Sequence, residues 1–173
     1  GEKWYIPLTR TARFVIHYAP TSTKDEYGIK VSGSGTELTI KDSGSNSSYQ
    51  QVNMVMLVDG GTLNIAGGKF CTAIVLKNSS SVLNQTGGEL HQTNGEPTIY
   101  MNSGGTYNFS GGNIYSGRCY AVRNSSSAKI NVSGEAMITA SAFAENSNKN
   151  ITATGGYFRE YYKTEAESKW TID

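Results

Sequence analysis

One short phrase returns along this chain at a wandering interval, and that repeat limits the fold more than any other feature. It is clearest at residues 60–70, "GGTLNIAGGKF": a glycine-rich turn, an apolar–polar–apolar triplet, a second turn and a further apolar residue. It recurs as "SSVLNQTGGEL", "GGTYNFSGGNI", "SAKINVSGEAM" and "NKNITATGGYF", with an earlier, weaker copy in "SGTELTIKDSG". The second turn begins at Gly67, Gly87, Gly111, Gly134 and Gly155, so the steps are 20, 24, 23 and 21 residues.

Stacked as columns, the copies give a first apolar position (Leu38, Leu63, Leu83, Tyr107, Ile130, Ile151) and a second (Ile40, Ile65, Gln85, Phe109, Val132, Ala153). Gln85 is the one polar intruder. Between them runs a polar column, Thr39, Asn64, Asn84, Asn108, Asn131 and Thr152. Successive side chains of a strand point to opposite faces, so both apolar columns share one face and the Asn/Thr column takes the other. Beyond the second turn lies another apolar column: Phe70, Leu90, Ile114, Met137 and Phe158. Upstream of the first turn lies a third short strand, seen in "GIKV", "VMLV", "AIVL", "TIYM", "AV" and "AFA".

Each repeat therefore supplies about three short strands, and none shows a helix-length 3.6-residue pattern. A lone repeat cannot bury its apolar columns; coils stacked so that each column lies over its own copy can. The expected fold is all-β: a right-handed parallel β-helix of about six coils of about 20–25 residues. At roughly 4.8 Å per coil the rod would be about 30 Å long. Glycines serve the corners, because Gly reaches positive φ without a steric penalty. A corner ladder of Asp59, Asn78, Asn102, Asn124 and Asn146 is read as turn-forming.

The length of 173 residues implies one domain. Residues 1–26 are read as an N-terminal cap or first coil, 27–158 as the repeat coils and 159–173 as a C-terminal cap, since open coil ends would recruit other chains. The chain begins at Gly1 rather than Met, read as a processed or engineered terminus, and the native protein is expected to extend further at both ends. A net charge of +1 gives no basic stripe for nucleic acid, and there is no 18-residue apolar run to insert in a membrane. Cys71 and Cys119 lie two coils apart, about 9.6 Å, too far for a disulfide, so both are expected to be free. Neither has a nearby His at metal-ligand spacing in the sequence.

The phrases "GGTLNIAGGKF", "GGTYNFSGGNIYSG" and "TATGGYF" resemble the right-handed β-helix repeats of bacterial surface and secreted proteins, which share the pectate-lyase-like superfold. They are similar to the "GGTLTINGG"-type repeats of large surface proteins of gut Firmicutes. The resemblance covers residues 27–158, and implies a secreted or cell-surface location in a bacterium. It fixes architecture better than activity, because this superfold hosts lyases, hydrolases, adhesins and tail-spike proteins.

Lyases of that superfold bind Ca²⁺ through clustered carboxylates, and its hydrolases group aspartates. Here Asp occurs only at Asp25, Asp42, Asp59 and Asp173. Glu89, Glu96, Glu135 and Glu145 form no cluster in the repeat, although Glu89 and Glu135 share a corner position two coils apart. His17 and His91 are isolated, and no nucleophile elbow, P-loop or H-E-x-x-H motif occurs. The single Thr-x-Thr pair, Thr152 with Thr154, is not the ladder that ice binding needs. No catalytic residue, metal ligand or cofactor is assigned.

A binding face has better support. Tyr100, Tyr115, Arg118, Tyr120 and Arg123 fall within two turns of the rod and combine aromatic rings with guanidinium groups. They suit a glycan or a host or cell-surface protein. The expected function is non-enzymatic: adhesion, ligand display or stalk structure. The alternative is a carbohydrate-active enzyme or glycan-binding module. Coil ends also allow an end-to-end or swapped homodimer.

Overall fold

A computed structural model of the protein describes residues 3–8, 27–42, 55–92, 95–145 and 150–160. The strands are β1 (Lys3–Leu8), β2 (Tyr27–Ser32), β3 (Glu37–Asp42), β4 (Val55–Asp59), β5 (Thr62–Ile65), β6 (Lys69–Cys71) and β7 (Ile74–Leu76). They continue as β8 (Val82–Gln85), β9 (Glu89–Gln92), β10 (Ile99–Met101), β11 (Gly105–Asn124), β12 (Ala128–Ala144), β13 (Ile151–Ala153) and β14 (Tyr157–Glu160). No helix occurs among the described residues. The strands pair in parallel, each with its counterpart one coil away. The chain is a parallel β-solenoid of about five turns, close to the expected six.

The coil has three faces. The first stacks β2, β4, β7, β10 and the C-terminal parts of β11 and β12. The second stacks β1, β3, β5, β8, the N-terminal parts of β11 and β12, and β13. The third stacks β6, β9, the middles of β11 and β12, and β14. The two long strands turn corners and so join all three faces.

On the second face the columns expected from the sequence are the observed register. Leu38 pairs with Leu63, Leu63 with Leu83, Leu83 with Tyr107, Tyr107 with Ile130 and Ile130 with Ile151. Leu63, Leu83, Tyr107 and Ile130 are fully buried. Stacking like on like gives each apolar residue neighbours of the same kind above and below, so the core is continuous along the rod. Gln85 belongs to this core. Its amide donates to the Asn113 carbonyl at 3.2 Å and accepts from the Tyr107 hydroxyl at 2.6 Å. Tyr107 stacks on Phe109, with ring centroids 5.5 Å apart. Burial holds its phenol well above the ordinary value, so it stays a neutral donor. The intruding amide and the one core phenol therefore satisfy each other.

The polar column on the outer side of this face is bonded lengthwise. Asn64 donates to Thr39 Oγ1 (3.1 Å) and to Glu37 Oε1 (2.7 Å). Asn84 donates to Asn64 (2.8 Å), Asn108 to Asn84 (2.8 Å) and Asn131 to Asn108 (2.7 Å). Every donor points toward the N-terminal end, where a carboxylate closes the ladder with a charge-assisted bond. Aligned amides polarise one another, so each bond strengthens the next.

The third face departs from expectation at one point. Phe70, Leu90 and Ile114 continue into Ile138 and Phe158, not into Met137. Phe109 pairs with Val132 but Gly111 pairs with Glu135, which leaves one extra residue in β12. The sequence there carries a single Gly134, at φ 59°, instead of a Gly-Gly pair. The result is a bulge that moves Met137 to the outer face. The same slip sets Glu135 opposite Gly111, so it does not share the row of Glu89, which runs through Asn113 to Met137.

Elsewhere the glycine pairs do two jobs. Gly112 has φ 87°, and a Cβ there would lie 2.3 Å from the carbonyl oxygen of Gly88 one coil below. A side chain at Gly112 would therefore keep this corner from closing on the Gly88 corner at strand spacing. The corner asparagines are less uniform. Asn78 donates to Asp59 at 2.9 Å and accepts from the Ser80 backbone at 3.1 Å, as a turn former should. Asn102 is exposed, whereas Asn124 is buried in register with Met101 rather than Asn102. Asn146 lies outside the described residues, as do residues 9–26 and 161–173 of the expected caps. Residues 3–8 extend the second face as β1, pairing Lys3 with Glu37. Cys71 and Cys119 are free.

Two stability measurements follow. In urea melts, Gly112→Ala should cost about 3 kcal/mol, because a backbone clash adds to the strain of positive φ; Gly95→Ala should cost only about 1 kcal/mol. Gly95 has φ 82° but open space around its Cα. Separately, Gln85→Leu alone should cost about 2 kcal/mol by orphaning the Tyr107 hydroxyl, and Gln85→Leu combined with Tyr107→Phe should recover most of it.

Candidate functional site

The five residues expected to form a binding face divide between two faces of the rod. Tyr100 and Arg123 are register partners on the outer side of the first face. The Tyr100 hydroxyl donates to Glu96 at 2.9 Å, and Arg123 holds Glu145, one coil further on, at 2.8 Å. Burial and then the Glu96 hydrogen bond raise the Tyr100 phenol far above its usual value, and the hydrogen bond to Glu145 holds the Arg123 guanidinium up. This cluster already binds itself. Tyr120 stands exposed at the approach to the first face. The side chain of Arg118 lies outside the described residues. Tyr115 sits on the third face, away from Tyr100 and Arg123.

That third face carries the better-formed site. Two outward rows run along it. One is Lys69, Glu89, Asn113, Met137 and Tyr157; the other is Cys71, His91, Tyr115, Thr139 and Arg159. Lys69 pairs with Glu89 at 3.5 Å. His91 packs against Tyr115 at a ring separation of 4.2 Å, with the planes at 65°. Thr139, short and buried, lies between Tyr115 and Arg159 in its row. A cleft of about 280 Å³ is lined by Glu89, Asn113, Ile114, Tyr115, Met137, Thr139 and Arg159. It offers a ring, a thioether, an amide, a hydroxyl and two opposite charges, a set suited to holding a polar ligand with an apolar face.

Sequence reasoning found Tyr115 but missed the cleft. Met137 reaches it only through the bulge, and Arg159 falls in the segment that the sequence marks as a cap but that pairs as strand β14. The pairing of Cys71 with His91 was also missed: they are 20 residues apart and thus adjacent across coils. The coil step, applied to polar residues as it was to apolar ones, would have shown it. Among the described residues no group of three or more His, Cys, Asp or Glu could hold a metal ion. The acids are dispersed, Glu89 on Lys69, Glu96 on Tyr100 and Glu145 on Arg123.

No family model, curated protein or solved structure matches this chain.

Burial lowers the His91 pKa from its ordinary 6.5, against the opposing pull of Glu89. The folded state thus favours neutral imidazole. Its contribution is complete above pH 6.5 and is lost as the pH falls toward the lowered value. The urea midpoint should therefore drop between pH 7.5 and about 5.5, and His91→Gln should flatten that drop.

Proposed function

We propose that this chain is a non-enzymatic module of a secreted or cell-surface bacterial protein, acting as a rigid stalk that displays or adheres. The observation that carries this reading is where the outer polar side chains go. The Asn64–Asn131 ladder, Asp59 with Asn78 and Lys77, Lys69 with Glu89 and Arg123 with Glu145 all bond one coil to the next. They are spent on stiffness along the rod rather than gathered at a reacting centre. Paired-carboxylate chemistry needs two acids facing one bond, about 5–10 Å apart. Glu89 and Glu145 lie on different faces, each beside its own cation. The "GGTLNIAGGKF" phrases add the resemblance to pectate-lyase-like repeats of bacterial surface proteins.

A glycan-binding module is the second reading, favoured by the cleft beside Tyr115. Both readings are tested by incubating the purified chain with a polysaccharide panel, with and without Ca²⁺, beside a glycan array. The stalk reading expects no cleavage and no array signal, and an antibody to the chain should label intact source cells. Unsaturated or shortened products would overturn both readings. Array binding without cleavage would favour the second.

A further inference from the structure

We propose that the C-terminal end of the second face is a strand-acceptor site, and that its occupant is residues 169–173 of this chain, added in parallel beyond β13. This goes beyond the stalk reading, since a stalk can end in a cover of any shape. The end of the core gives the first observation. Ile130 is 0% exposed and Val132 1%, whereas Ile151 and Ala153, next in the same two columns, are only partly buried. Backbone direction gives the second. On this face the outer residues bond backward, as the Thr154 N–H does to the Val132 carbonyl, and the inner residues bond forward, as the Ile130 N–H does to the Asn150 carbonyl. The N–H and C=O groups of Ile151 and Ala153 therefore point off the end of the rod, where a further parallel strand meets them.

The sequence supplies that strand. Residues 169–173 read "KWTID", with the apolar–Thr–apolar triplet of "ELTI" in β3. Trp170 follows Ile151 by 19 residues, one fewer than the step from Leu63 to Leu83. Residues 169–173 lie outside the described residues; what is described is the edge that receives them. In the register of the earlier coils, Trp170 falls over Ile151, Thr171 over Thr152 and Ile172 over Ala153. An indole buries about 150–250 Å², enough to close a column end that is otherwise left partly exposed. The Thr171 and Asp173 N–H groups then donate to the Ile151 and Ala153 carbonyls, and the Ile151 and Ala153 N–H groups donate to the carbonyls of Lys169 and Thr171. A second copy stacked head to tail serves this edge less well. Its β1, continuing the same columns, sets Trp4 over Ile151 and Pro7 over Thr154, and proline has no N–H for the Ala153 carbonyl.

The test is hydrogen exchange followed by NMR on the intact chain and on a chain ending at Ser168. The amides of Ile151 and Ala153 should exchange at least about tenfold faster in the shortened chain, while those of Thr152 and Thr154, which point backward, should be unchanged. This alternation separates a lost strand from general loosening, which would speed all four. In the intact chain the Trp170 indole should show nuclear Overhauser contacts to the Ile151 methyls, which decides the matter if the shortened chain does not fold. Mixing copies labelled with different isotopes distinguishes a strand from the same chain from one exchanged between two copies. The proposal is overturned if the four amides respond alike or not at all, if the Trp170 indole makes no contact with Ile151, or if that contact occurs only between copies.

Discussion

The structure depends on one constraint: each residue must be compatible with its own copy one strand spacing away. Parallel, in-register stacking places a side chain directly beside its equivalent in the next coil. Apolar residues satisfy this at once, and Leu63 over Leu83 needs nothing else. Charged residues do not, because like charges would repel along the rod. Asparagine does, because an amide is donor at one end and acceptor at the other. The run from Asn131 to Asn64 is therefore the polar equivalent of the apolar column beside it. Glycine at Gly88 and Gly112 answers the same constraint where backbones come closest.

Individuality enters where a column breaks its rule. Gln85 in the core requires the Tyr107 hydroxyl, and the two bond one coil to the next. The lone Gly134 permits the bulge that turns Met137 outward. Met137, so turned, lines the cleft on the third face with Tyr115, Thr139 and Arg159. The repeat accounts for the scaffold, and the exceptions account for the surface features that distinguish one coil from the next.

Much of this was legible in the sequence because stacking converts periodicity into contact. Leu38 through Ile151 could be placed over one another from the text alone, and the register agrees. The bulge was not legible, because the phrase "SGEAM" differs from "GGEL" by a glycine whose loss shifts the pairing by one residue. At the corners a lengthwise bond joins Asn78 to Asp59, but the unbroken amide ladder from Asn131 to Asn64 runs along the outer column. There, side chains project from flat strands at a constant spacing, whereas Asn102 and Asn124 occupy different registers at their corners. The cleft was hidden for a related reason. Its residues come from separate coils, and each looks ordinary within its own phrase.

The most direct test of the stacked arrangement is the amide ladder, observed in solution without altering the chain. Side-chain NH₂ protons of Asn64, Asn84, Asn108 and Asn131 should show nuclear Overhauser contacts in sequence, Asn64 to Asn84, Asn84 to Asn108 and Asn108 to Asn131, with none between Asn64 and Asn108. These are steps of 20, 24 and 23 residues. Finding that chain of contacts would establish the register of successive coils. Finding these amides exchanging freely with water, or in contact at other spacings, would contradict the solenoid described above.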